Sequence, residues 1–227
     1  MRSVIALACG VVVLSGLPSA RAAAQSEPMA VAPFRSIELR NGVHAILRYG
    51  PTQRVTFLKG GADQTEISVR RGEALVIDKC RSKCARGYEL EIEIVTPEVA
   101  RITVAQGGWI ESRGSFPRQA EIGVTVDNGG TIDIRPMSVG SVSASVLSGG
   151  RILAKPLTAL VARVEDGGNI TYWGDARVTQ SIEHGGVVTR GDEVDADKPF
   201  SKLDLSRASA PPVPALPPTA RVRHLRP

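Results

Sequence analysis

The sequence predicts an all-β chain: a single-stranded, right-handed parallel β-helix, or solenoid, preceded by a β-rich amino-terminal cap. Three observations carry this expectation. Gly-Gly recurs as Gly107-Gly108, Gly129-Gly130, Gly149-Gly150, Gly167-Gly168 and Gly185-Gly186, at spacings of 22, 20, 18 and 18 residues. Aligning these pairs on their first glycine produces apolar columns. Val104, Val126, Val146, Val164 and Ile182 stand three positions before it, and Ile110, Ile132, Ile152, Ile170 and Val188 three positions after. Ala100, Ile122, Val142, Leu160 and Val178 stand seven before, and the turn-favouring Gly114, Pro136, Pro156, Gly174 and Asp192 seven after.

Each unit therefore reads as a strand of period two, a glycine turn, a second strand and a second turn. A period near 20 residues with aligned apolar columns is the pattern of stacked parallel strands, each coil placing one Val/Ile layer in a narrow interior. Antiparallel hairpins would not keep the same column inward at so short a period. Residues 98–191 are read as about five such coils, the right hand following from the general crossover preference.

Residues 34–97 alternate as strands without a clear double-glycine period. The strand-like runs are Ile37-Glu38-Leu39, Val43 to Leu47, Val55 to Leu58, Thr65 to Val69, Leu75-Val76-Ile77 and Leu90 to Ile94. This segment is expected to cap the first open edge of the solenoid and to include its first, irregular coils, since exposed strand edges recruit other chains. At the far end Asp192, Glu193, Asp195 and Asp197 would crowd the last edge with charge.

The 227 residues carry 28 Lys+Arg against 23 Asp+Glu, a formal net charge of +5. The excess lies at the ends: Arg2 and Arg21 in 1–24, and Arg207, Arg221, Arg223 and Arg226 in 207–227, leave 22 basic and 23 acidic side chains in 25–206. A nearly neutral body argues against a nucleic-acid-binding face. Apolar residues at 42% and charged residues at 22% exclude a fully disordered chain and a multispanning membrane protein.

Met1-Arg2, the apolar run Val4 to Leu17 and the small residues of Pro18 to Ala24 read as a cleavable secretory signal peptide over 1–24, with cleavage after Ala24 or alternatively Ala22. The run is too short for a stable span, so no transmembrane segment is expected after cleavage. Ala6-Leu7-Ala8-Cys9 loosely resembles a lipobox, but a cut there would fall inside the apolar run. Export places the mature chain in the periplasm or on the surface of a bacterium.

Cys80 and Cys84 then remain as one even pair, and in an oxidising compartment they are expected to form a disulfide closing a tiny loop. Redox pairs are spaced more tightly, and no histidine flanks this pair to complete a metal site. Residues 207–227 hold six prolines among Ala and Arg and read as a disordered, extended tail that could touch anionic surfaces.

From Phe34-Arg35-Ser36-Ile37-Glu38-Leu39 and Gly42-Val43, through Gly72 to Ile77 and Val95-Thr96-Pro97, to Gly168-Asn169-Ile170 and Tyr172-Trp173-Gly174-Asp175, the order of motifs resembles the putative auto-transporter adhesin head GIN domain family. The resemblance covers about 34–191. It implies an exported bacterial β-helical domain and brings no catalytic residues. A complete autotransporter also needs a carboxy-terminal membrane barrel, and none fits this sequence.

Two sets of side chains are candidates for ligand contact. Asp127, Glu165 and Glu183 stand two positions before a glycine pair, and Asp166 and His184 one before it. Stacked coils would make Glu165, Asp166, Glu183 and His184 neighbours, able to hold a divalent cation or to supply paired carboxylates. Turn geometry alone also selects such residues at a corner. Trp109, Tyr172 and Trp173 could stack on sugar rings or instead fill core and edge positions. No nucleophile elbow, zinc spacing or phosphate loop is present, so no catalytic residue, metal or cofactor is assigned. The expectation is a non-catalytic adhesion or binding module for an envelope or surface glycan, or for another envelope protein. The alternatives are a polysaccharide lyase or hydrolase on the same scaffold, and a self-assembling structural module.

Overall fold

Alternation of apolar and polar residues makes nearly every described segment a strand. The structure is a computed structural model that describes residues 28–71, 73–80, 85–193 and 196–198. The signal segment 1–24, Cys84, Asp195 and the tail 207–227 lie outside the described residues.

The first seven strands are β1 (Met29–Ala30), β2 (Ser36–Arg40), β3 (His44–Tyr49), β4 (Arg54–Lys59), β5 (Glu66–Arg70), β6 (Ala74–Asp78) and β7 (Glu91–Thr96). Then come β8 (Arg101–Ala105), β9 (Trp109–Arg113), β10 (Gln119–Asp127), β11 (Thr131–Asp133) and β12 (Val139–Ser148). The last are β13 (Arg151–Ala154), β14 (Pro156–Asp166), β15 (Asn169–Tyr172), β16 (Arg177–Ile182) and β17 (Val187–Arg190).

The fold is all-β and built from two mixed sheets. A nine-stranded sheet runs β1-β4-β7-β3-β9-β11-β13-β15-β17, and an eight-stranded sheet runs β16-β14-β12-β10-β8-β2-β6-β5. From β8 onward successive strands alternate between the sheets, and each pairs in parallel with the strand two places further on. The apolar columns of the sequence are the ladders themselves. Val104, Val126, Val146, Val164 and Ile182 lie in one register row. Ile110, Ile132, Ile152, Ile170 and Val188 lie in the facing row. Both rows are buried except at the last coil, so the core is a narrow slot between the sheets. Burying one such aliphatic side chain contributes roughly 1.5–3 kcal/mol.

Residues 34–97 supply strands to both sheets. β2 pairs with both β6 and β8, and β3 with both β7 and β9, so these two strands, one in each sheet, form a full layer inside the stack. Leu39 and Ala45 stand opposite Val104 and Ile110, extending the two apolar rows. The chain leaves this layer through β4 and β5, which edge the outer layer as antiparallel strands, then builds that layer as β6 and β7 and returns at β8. The sequence hides the layer because Val43 stands where later units have their second glycine.

Candidate functional site

Each coil turns at the same corner through two or three successive positive-φ residues, and backbone hydrogen bonds tie successive corners together. Thr131 N–H donates to Gly108 O at 3.0 Å, Arg151 N–H to Gly130 O at 2.9 Å and Asn169 N–H to Gly150 O at 2.9 Å. Side chains just before this corner are therefore held in columns at a rise of about 4.8 Å per coil.

The structure brings four of the predicted corner residues together but pairs them off. Arg163 Nε lies 3.1 Å from Glu165 Oε1, and Arg163 Nη2 lies 3.1 Å from Glu183 Oε1. His184 Nδ1 lies 3.1 Å from Asp166 Oδ1, with both side chains exposed. Asp127 sits two coils away at the end of β10, its carbonyl accepting from Gln106 N–H at 3.0 Å. Among the described residues, no group of three His, Cys, Asp or Glu side chains is placed to hold a metal ion. Arg163, which sequence reasoning passed over, occupies the space between the two glutamates. Its signal was available: the fourth position before each glycine pair reads Thr103, Thr125, Ser145, Arg163 and Ser181, one cation in a hydroxyl column.

The three aromatic candidates separate. Trp109 opens β9 on the outer side of the nine-stranded sheet, stacked on His44 with ring centroids 4.3 Å apart and planes at 10°. The two rings are aligned because His44 and Trp109 are register partners. They border a cavity of about 270 Å³ also lined by Lys59, Lys79, Glu89 and Glu91. Trp173 is 4% exposed, packed with Leu153 and Ala196, and its indole N–H donates to Asp192 O at 2.8 Å. Of the two roles open to it in the sequence, this is core filling. Tyr172 ends β15, half-buried against the main core.

Cys80 follows β6, its N–H donating to Asp78 Oδ1 at 3.2 Å. Its expected partner Cys84 is outside the described residues.

Sequence reasoning also missed Glu111. It is 6% exposed on the outer side of β9, and desolvation raises its carboxyl above the usual range while Arg113 opposes the shift. The outer face of the eight-stranded sheet differs. Ser141, Ser143 and Ser145 on β12 align with Ala159, Val161 and Arg163 on β14, and these with Arg177, Thr179 and Ser181 on β16. Ser143, Val161, Arg163, Thr179 and Ser181 are exposed.

No family model matches the chain, and no curated protein matches it. Among solved structures, a "putative adhesin" from Bacteroides fragilis is similar at 16% identity and a TM-score of 0.46, the match covering 73% of this chain and 94% of that one. A "putative lipid binding protein" from Parabacteroides distasonis is similar at 14% identity and a TM-score of 0.29, covering 74% and 96%. A "putative cell adhesion protein" from Clostridium sporogenes is similar at 11% identity and a TM-score of 0.35, covering 73% and 98%.

Proposed function

We propose that this chain is an exported bacterial envelope protein, a non-catalytic module that binds an envelope or surface polymer, or another envelope protein, through the outer face of its eight-stranded sheet. The observation that carries the reading is the in-register pairing of β10, β12, β14 and β16, which fixes Thr125, Ser145, Arg163 and Ser181 in one outward row and Ser143, Val161 and Thr179 in the next. Outward positions repeating at about 4.8 Å, most of them hydroxyls with Arg163 and Val161 among them, suit a partner that itself repeats, such as a glycan chain. Arg163 places a cation within the first row, paired with Glu165 and Glu183. The two-sheet winding is taken as a right-handed parallel β-helix, the hand that crossover connections favour. The motif order shared with the GIN domain family, the signal-like leader and a Cys80–Cys84 disulfide belong to the same reading of an exported protein.

Co-sedimentation with insoluble peptidoglycan and with bacterial surface polysaccharide tests the proposal. Ser145→Arg, which places a long cation in the middle of the hydroxyl row, should abolish pelleting while Trp109→Ala leaves it intact. Loss with Trp109→Ala alone would move the site to the cavity beside His44. Failure of the unaltered chain to pellet with either polymer would refute polymer binding.

One observation favours self-assembly as a second reading. β16 and β17 are the end strands of the two sheets, and Ile182 and Val187 there are 40% and 36% exposed. Concentration-dependent sedimentation that Ile182→Lys abolishes would support it.

A further inference from the structure

Among the described residues, β16 ends the eight-stranded sheet and pairs on one side only. Its ladder fixes which groups the other side presents. Glu183, one residue past the strand, donates its N–H to Val164 O at 2.9 Å and so bonds toward β14. Backbone groups alternate sides along a strand, so Arg177, Thr179 and Ser181 also face β14. Val178, Gln180 and Ile182 therefore turn their N–H and C=O groups to the open edge.

The same three residues hold the interior positions of the last coil. They are the register partners of Leu160, Ala162 and Val164, all buried. In β16 itself Val178 is half-buried, while Gln180 and Ile182 are exposed. Gln180 is the odd member of its row, which holds Val124, Ala144 and Ala162 in the deeper coils. An amide both donates and accepts, so a glutamine at the end of an apolar row can pair with another glutamine.

On either side of Gln180 the strand is complementary to its own reverse. Val178 and Ile182 are apolar, Thr179 and Ser181 carry hydroxyls, and Arg177 and Glu183 carry opposite charges. We propose that two copies of this chain pair β16 with β16, antiparallel, about a two-fold axis through Gln180. Gln180 then faces its own counterpart as a hydrogen-bonded pair. On the interior side Val178 faces the partner's Ile182. On the outer side Thr179 faces the partner's Ser181, and Arg177 faces the partner's Glu183.

The register is specific. A slip of one residue sets edge-facing groups against groups already bonded to β14, and moves apolar side chains to the outer face. A slip of two leaves Arg177 opposite Gly185 or Ser181. Charge points the same way: Arg163 bridges Glu165 and Glu183, a chain with one acid in excess, and Arg177 of the second copy offsets it. The pairing rests on the self-assembly reading above and gives it a partner, a register and closure, because a two-fold contact stops at two copies. It also joins the two eight-stranded sheets edge to edge, so their outward rows continue from one copy into the other.

Sedimentation equilibrium of 25–227 should show monomer and dimer. Arg177→Glu and Glu183→Arg each set like charges opposite one another at both ends of the paired strands, and each should weaken the dimer about tenfold. The double variant restores opposite charges and should recover most of that loss. Gln180→Pro removes an N–H that faces the open edge, so the chain should keep its cooperative melt and remain monomeric. If Gln180→Pro does not fold, the charge variants decide the matter, since both positions are exposed. A chain that stays monomeric up to about 0.1 mM would overturn self-assembly and this pairing together. Assembly that the double variant fails to recover, or that grows beyond two copies, would overturn the β16 pairing while leaving self-assembly standing.

Discussion

A Cβ built on Gly168 would stand 2.6 Å from Val146 Cγ1, the side chain of the layer beneath it. The same hypothetical atom would meet Gly150 O at 2.9 Å, so the second glycine of this corner is held between a core methyl and the neighbouring corner. Its φ of 104° is also one that side chains rarely adopt. The first glycine, Gly167, has φ 70° and no atom within 4 Å of a built Cβ.

The two glycines of one pair should therefore respond differently. Gly167→Ala bears only the left-handed backbone cost, about 1–2 kcal/mol. Gly168→Ala adds a clash that backbone and core must both relieve, and should cost about 3 kcal/mol or more. Urea melts of the two variants measure the difference, and equal losses would contradict the close stacking of corners.

Much of this architecture was legible because corner and core impose separate requirements on the same unit. The aligned Val and Ile columns became register rows without a shift. The layer β2–β3 was legible only as strands of irregular first coils, since Val43 follows Gly42 where later coils have glycine, although Leu39 and Ala45 already occupied the two apolar columns. The site was read in part. Stacking did place Glu165 beside Glu183, but charge at a corner says nothing of the arginine two residues earlier that joins them. Trp173 and Trp109 look alike in sequence. Packing with Leu153 and Ala196 buries the first, while the second borders a cavity.

Arg163 pairs with both glutamates of the corner patch. With side chains about half exposed its pairs are worth little, so Arg163→Ala should lower stability by less than about 1 kcal/mol. The informative readout is calcium. EDTA should leave the melting temperature of the unaltered protein unchanged, because the guanidinium occupies the place a cation would take. A fall with EDTA would restore the patch as a metal site.

Glu111 gives a pH dependence of defined sign. Its folded carboxyl is raised above the ordinary value of 4.5, so the folded chain binds this proton more tightly than the unfolded one. Its contribution is fully present below the unfolded pKa and is lost as pH rises through the folded value. Glu111→Gln should therefore gain in melting temperature relative to the unaltered protein as pH is raised from about 4.5. A constant difference across that range would refute the burial of this carboxyl.

The loop between β6 and β7 replaces the glycine corner in the outermost layer, and a disulfide there would close only a few residues. Peptide mapping without reductant should recover Cys80 linked to Cys84. Reduction should cost no more than about 2 kcal/mol, because the entropy lost by so short a loop is small.

The most direct measurement is a thermal melt of chains 25–227 and 25–206 against soluble envelope polysaccharides, since a ligand that binds only the folded state raises the melting temperature with its saturation. The proposed face lies wholly within 121–183, so both chains should shift equally, and Ser145→Arg should remove the shift from each. A shift confined to 25–227 would contradict the account and give the binding function to the basic carboxy-terminal residues.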